Sequence, residues 1–170
     1  MKPIIRAATA DDIDEMAATV VDGFRTFGEF APAGWELPDP PFDVEVFREQ
    51  MALDGIRSRV AEEDGRLAGH VTTIASEQVT WRPIPHDPGL CFFWQLYVRT
   101  PFWGTGLAAE LHELAVAGAK AEGFASLLLT TPQGSERGRR FYEGRGWVRT
   151  GEPRDSPIGL PVVRYTLDLR

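Results

Sequence analysis

The chain has 170 residues, with 18 Lys plus Arg against 25 Asp plus Glu, a net charge of −7 and a pI near 5.0. That length supports one domain over residues 1–170, since such a chain buries roughly 70% of its unfolded surface around a single core. The 43% apolar and 11% aromatic content excludes disorder, and the acidic balance argues against a protein whose main partner is nucleic-acid phosphate.

Cys91 is the only cysteine, so neither an intramolecular disulfide nor a thiolate metal cluster is expected, and Cys91 reads as a buried apolar residue. The amino terminus turns acidic before an apolar stretch of signal length develops, and no run of about 18 apolar residues occurs. The expectation is a soluble, cytoplasmic protein with no membrane partner.

Taken in chain order, Ile4 to Arg6 is a short strand, and Thr9 offers an N-cap followed by Asp11 and Asp12 in the first helical turn. Ile13, Met16, Ala17, Val20, Val21, Phe24 and Phe27 recur at spacings of three and four, which predicts an amphipathic helix ending near Gly28. Pro32, Pro38, Pro40 and Pro41 then make residues 29–42 a loop. A short helix is expected from Val44 to Leu53, followed by a hairpin of strands Arg57 to Glu62 and Leu67 to Gln78.

Leu90 to Val98 is nearly all apolar, as in a central strand covered on both faces. From Gly106 a helix should run to about Glu122 with Leu107, Leu111, Leu114, Ala115 and Gly118 on its apolar stripe and His112 away from it. Ala125 to Thr131 is a buried strand, and Ser135 caps a helix to Arg145 with Gly146 in the left-handed position beyond it. Trp147 to Thr150 and Val162 to Leu169 complete a mixed α/β domain.

Residues 101–109 form a glycine turn between the strongest strand and an amphipathic helix, where backbone N–H groups and the helix dipole favour an anion, such as a phosphate. Gly104, Gly106 and Ala109 satisfy the dinucleotide fingerprint G-x-G-x-x-A. Against that reading, residues 125–132 contain no Asp or Glu to meet a ribose, and only 61 residues follow Ala109, too few for a doubly wound sheet.

Together with its flanks, the turn resembles that of the GNAT superfamily of acyl-coenzyme A-dependent N-acyltransferases. The resemblance rests on a strand ending Leu96, Tyr97, Val98, on Pro101, and on a turn Trp103, Gly104, Thr105, Gly106, Leu107, Ala108, followed by Ala109, that leads into a helix. Some 35 residues later it continues with Ser135, the pair Phe141 and Tyr142, and Gly146 followed by Trp147. It implies a single-domain GNAT fold, a mixed, mostly antiparallel sheet of about six to seven strands flanked by about four helices. It also implies acetyl-CoA as co-substrate, no metal, and direct transfer to a small-molecule or peptide amine in a ternary complex. A homodimer through the carboxy-terminal strand stays open.

Two positions depart from the family pattern. Trp103 stands where Arg or Gln is usual, so a side-chain contact to pyrophosphate is missing or supplied elsewhere, and Ser135 stands where Asn is usual. Between Gly134 and Arg149 five arginines, Arg137, Arg139, Arg140, Arg145 and Arg149, face only Glu136 and Glu143. Arginine suits phosphate by geometry and charge, and Arg139 is the arginine expected at the cofactor.

The resemblance places Tyr142 near the thioester sulfur as the general acid, a phenol with ordinary pKa near 10 that can protonate a departing thiolate. Candidate bases are scattered over Glu77, His86, His70 and Gln95. The loop from Glu29 to Asp43 mixes Phe30, Trp35 and Phe42 with Glu29, Glu36, Asp39 and Asp43, the composition expected around an amine with an apolar body. A non-catalytic acyl-CoA-binding domain of the same fold is the alternative.

Overall fold

The computed structural model describes residues 2–170. Seven strands are arranged with four helices in the order β1 (Ile4–Ala7), α1 (Ile13–Thr26), α2 (Val44–Met51), β2 (Arg57–Glu63), β3 (Arg66–Ala75), β4 (Leu90–Val98), α3 (Leu107–Ala121), β5 (Ser126–Pro132), α4 (Glu136–Glu143), β6 (Val148–Arg154) and β7 (Val162–Asp168). They form one sheet with strand order β1-β2-β3-β4-β5-β7-β6, in which β4 and β5 are parallel and the other neighbours antiparallel.

Local chemistry sets the element boundaries. Asp64 and Gly65, at φ 51° and 76°, make the two-residue β2–β3 turn, and two left-handed residues match the twist of a hairpin. Asp43 caps α2 by accepting from the Glu45 and Val46 amides, and Ser135 caps α4 by accepting from the Gly138 amide. Gly146, at φ 85°, ends the α4 segment, with the Trp147 amide donating back to the Tyr142 carbonyl.

The core lies in two layers. On one face Leu107, Leu111, Ala115 and Ala119 of α3 pack on Val71, Cys91, Phe93, Leu127, Leu129, Val163 and Tyr165. On the other, Met16 and Val20 of α1 and Phe47 and Met51 of α2 cover Val60 and Leu67. Leu111 is fully buried, which alone contributes about 2 kcal/mol. Cys91 is buried as expected, and burial pushes its thiol up to about 12.

Several boundaries differ from the sequence expectation. β3 stops at Ala75, and Ser76–Gln78 turn into a 3₁₀ segment with the Ser76 hydroxyl bonded to the Asp87 carbonyl. Gly106 is the cap of α3, at φ 88°, and not its first helical residue. Leu114 is 43% exposed, while His112 is buried. The α3 stripe is therefore rotated toward His112 and Ala119, because His112 Nε2 accepts from the buried Trp147 indole at 2.9 Å.

Two irregularities of β4 shape the middle of the sheet. Thr72 pairs with Gln95 and Thr73 with Phe93, so Trp94 is an extra residue opposite no residue of β3. Such a bulge shifts the alternation of side chains by one. In addition, β4 pairs with β5 only at Leu90, Cys91 and Phe92. Beyond Phe92 the two parallel strands diverge and open a crevice between them.

Candidate active site

Two cavities flank that crevice. The first, of about 750 Å³, lies between the glycine turn, α4 and the divergent strand ends. The second, of about 420 Å³, lies toward α1, α2 and the segment 81–84. Both volumes fall in the range of small-molecule sites, roughly 300–1,000 Å³. Trp94, Tyr97 and Thr130 line both, so the cavities meet at the crevice.

Most of the residues expected at a cofactor line the first cavity: Leu96, Tyr97, Val98, Trp103, Gly104, Gly106, Ala108, Ala109, Ser135 and Tyr142. Gly104 and Gly106 hold φ 77° and 88°, so the turn needs residues without a Cβ penalty at both positions. α3 starts directly behind them. Its first intrahelical bond is that of the Glu110 amide to the Gly106 carbonyl, which leaves the N–H groups of Ala108 and Ala109 without an intrahelical acceptor. The chemistry of the wall thus fits a phosphate.

Three of the expected residues stand elsewhere. The Thr105 hydroxyl donates to the Phe102 carbonyl at 2.7 Å and braces the turn, and the Leu107 side chain belongs to the core. Arg139 is outside the cavity, facing the Tyr165 side of the sheet, where its charge acts on that phenol. The arginines at the cavity are Arg137 and Arg145 instead. In an α4 that begins at Glu136, residue 139 points away from the face that carries 137, 138, 141 and 145.

Trp103 does not aim a donor at the cavity, because its indole N–H bonds the Val98 carbonyl at 2.7 Å. Its ring is instead covered by the Arg137 guanidinium, 3.9 Å from the ring centroid. A cation therefore returns to the turn by stacking, a contact between residues 34 apart that a linear motif does not reveal. Arg145 stacks likewise on Phe141, at 3.8 Å.

Tyr142 sits edge-on to Phe93, Phe141 and Trp147. Its hydroxyl has no hydrogen-bond partner among the described residues, and burial, reinforced by the neighbouring Tyr97 phenol, raises its pKa above the ordinary tyrosine range. The phenol is thus neutral, a proton donor with a free hydrogen. Tyr97 is raised too, by burial, with Arg82 opposing. Its ring lies against α1 at Gly23, where a Cβ would run into it.

The bulge determines which β4 side chains meet the second cavity. Phe92 and Trp94 face it by ordinary alternation, and the extra residue then adds Gln95 and Tyr97 to the same side. Gln95 is held by His70, whose Nε2 lies 2.9 Å from the Gln95 Oε1 and donates to it. Burial holds the His70 pKa down at about 4, so this ring is neutral.

Of the other candidate bases, Glu77 and His86 line neither cavity, and the His86 Nε2 is bound to the Val79 carbonyl. The loop 29–43 divides. Glu29 and Phe30 line the first cavity, Phe42 and Asp43 the second, and Trp35 neither, since its N–H donates to the Ile158 carbonyl at 2.8 Å. Of the second cavity's half-buried charges, Arg82 comes from a segment that carries no sequence signature and Arg164 from the expected strand β7, where nothing in the pattern marks it as a site residue.

The class of protein that this fold and site define is borne out by comparison. The model of the GNAT acetyltransferase family matches residues 24–147. The chain belongs to that family, and acetyl-CoA is its co-substrate. An N-acetyltransferase from Staphylococcus aureus Mu50 superposes over 100% of both chains with TM-score 0.74 at 20% identity. The yncA protein of Salmonella typhimurium, solved with its cofactor acetyl-CoA, matches over 100% of this chain and 95% of its own, with TM-score 0.69 at 18% identity.

The ribosomal-protein-S18-alanine N-acetyltransferase of Escherichia coli matches over 98% and 93%, with TM-score 0.68 at 15% identity. At these identities the likeness establishes the fold. No curated protein matches the sequence significantly. Among the described residues no helix is long and apolar enough to cross a membrane, and no three His, Cys, Asp or Glu side chains are grouped to hold a metal ion.

Proposed function

We propose that the chain transfers an acetyl group from acetyl-CoA directly to a primary amine, with Tyr142 as general acid. The observation that carries the reading is the junction of the two cavities in the crevice at Trp94, Tyr97 and Thr130, with Tyr142 lining one side. One cavity takes the nucleotide and pantetheine, the other the acceptor, and only at the junction do they touch.

In this reading the amides of Ala108 and Ala109, the Gly104–Gly106 turn and the stacked Arg137 hold phosphate. Leu96 to Val98, a strand end with no partner on the β5 side, offers backbone groups to the amide arm. The bound thioester supplies an already activated acyl group, so no nucleophilic side chain is needed. Positioning the amine in the second cavity against that carbonyl is the larger part of the catalysis. Backbone N–H groups of the bulged segment around Trp94 face the developing oxyanion, and the Tyr142 hydroxyl donates its proton to the leaving sulfur.

Neither an imidazole nor a carboxylate stands at the junction itself, so the amine loses its proton to water. Thermal unfolding with acetyl-CoA, CoA and NADP at matched concentrations tests the cofactor half. Ligand at 100 times its Kd adds about 2.7 kcal/mol, roughly 5–11 °C for a chain of this length. Release of free thiol from acetyl-CoA across a panel of primary amines tests the chemistry. Binding without turnover on any amine would identify a non-catalytic acyl-CoA-binding domain instead.

A further inference from the structure

The second cavity has an aromatic body and a wall of unused donors. Phe24, Phe42, Phe47, Trp81, Trp94 and Tyr97 supply the body. Trp81 and Trp94 pack at 5.1 Å between ring centroids, and Phe47 and Trp94 at 5.9 Å. The Arg82 guanidinium, half-buried in this wall, makes no hydrogen bond and no ion pair among the described residues. The Trp81 N–H is buried and has no acceptor. Gln95 has its oxygen committed to His70, while its amide nitrogen bonds no protein group.

Arg164, also half-buried, gives one N–H to the Pro83 carbonyl at 2.8 Å and has no carboxylate partner. Burial lowers the pKa of both Arg82 and Arg164, the mark of cations taken from water without compensation. The acids of the same cavity do not supply it. Asp43 is committed to capping α2, and Glu152 and Asp155 stand exposed at the rim beside the exposed Arg154, where water screens them. An uncompensated half-buried charge is costly unless a ligand pairs with it.

Resting on the reading of this cavity as the acceptor site, we propose that the acceptor is a small zwitterion. It is a primary amine carrying a compact oxyanion, seated in the cavity that Arg82, Trp81, Gln95 and Arg164 line, where the Arg82 guanidinium, the Trp81 N–H and the Gln95 amide have no acceptor and Arg164 has no carboxylate. Its apolar body lies among the aromatic rings, and its amine reaches Trp94 and Tyr97 at the crevice. There the ring faces favour the ammonium before it loses its proton. A carboxylate and a phosphonate share the required chemistry. A long peptide whose only charge near the amine is positive does not fit.

The test compares matched sets of amines: L-phenylalanine, L-leucine and L-methionine, their carboxamides, their decarboxylated amines and their aminoalkylphosphonate analogues. Initial rates of CoA release are read alongside calorimetric binding to the protein saturated with CoA. The expected result is a kcat/KM at least 100-fold higher for the acids, or for the phosphonates, than for the carboxamides, and binding at least tenfold tighter. Whichever oxyanion leads identifies the source. Arg82→Gln should collapse the preference to within about threefold by raising KM for the acids, while the carboxamides change little; Arg82→Lys should restore part of it.

Equal use of acids, carboxamides and plain amines would overturn the proposal and leave acetyl transfer standing. Absence of turnover with every amine, while the acids still bind tenfold tighter than the carboxamides, would sink the transfer reading and keep the anion site. Equal binding of acids and carboxamides would remove the site itself.

Discussion

The two cavities on either side of the crevice are built by different means. The first offers backbone at its polar end, a glycine turn, the open amides of α3 and an unpaired strand end, with Arg137 and Arg145 laid on aromatic rings. The second presents almost entirely side chains, brought from α1, α2, residues 81–84, β4 and the β6–β7 region. Backbone donors recognise what every member of the family must hold, whereas side chains can be exchanged without disturbing the fold. In the proposed reading a constant co-substrate and a particular acceptor would thus be met by parts of different mutability.

The sharpest division between the two should come at Tyr142. Tyr142→Phe deletes a hydroxyl with no protein partner, so Tm and the acetyl-CoA Kd should stay unchanged while kcat falls about 100-fold or more, measured by thiol release. An unchanged kcat would end its role as acid. Because burial raises the pKa of this phenol, the alkaline side of the rate profile should show no loss from its titration near pH 10.

A buried histidine stands behind each cavity, His112 under Tyr142 and Trp147, His70 behind Gln95, both held at about 4 by burial. The unfolded chain takes up protons at these rings from about pH 6.5 downward, and the folded chain does so only near pH 4. Stability is therefore intact above pH 6.5 and is lost as pH falls toward 4, on the order of 3 kcal/mol per ring. Urea unfolding at pH 7, 5.5 and 4.5 reads the slope, and His112→Gln should flatten about half of it. A slope unchanged in that variant would assign the acid sensitivity elsewhere.

Smaller effects separate neighbouring residues. Arg137→Ala should weaken acetyl-CoA about tenfold, near 1.4 kcal/mol, with acceptor KM unchanged, and Arg139→Ala should leave Kd as it is. Equal losses in calorimetry would mean that the stack on Trp103 has no bearing on phosphate. Least of all, Trp35→Phe removes one hydrogen bond to Ile158, about 1 kcal/mol by thermal unfolding, and moves neither substrate's kinetic constants.

The element order, the α3 turn and the first cavity are legible in the sequence because they depend on local rules: periodicity, caps, and glycines that must take positive φ. What escapes has a common cause. The bulge at Trp94 adds one residue where an apolar strand gives no alternation to count, so the sequence assigns Gln95 no face. His112 looks solvent-facing on α3 because the partner that satisfies it, Trp147, is 35 residues away. Trp35 groups with its loop in the sequence but is tied across 123 residues to Ile158. Arg82 sits in a short segment with no pattern and Arg164 in a strand whose pattern does not say what its side chain faces, and their lack of a carboxylate partner exists only in three dimensions.

The β4–β5 contact has a mechanical side. Strands β1 to β4 lie on one side of it and β5 to β7 on the other, and in the plane of the sheet only the pairs Leu90–Ser126, Cys91–Leu127 and Phe92–Leu128 join the halves. This is a narrow waist, stiffened from one face by Phe93, Leu127 and Leu129 under α3. A ligand lying from the start of α3 across to β5 would strap the waist from its open end. Amide exchange at Ser126, Leu127 and Leu128 should then slow on acetyl-CoA binding by more than exchange in the β2–β3 hairpin, as the two halves cease to open independently.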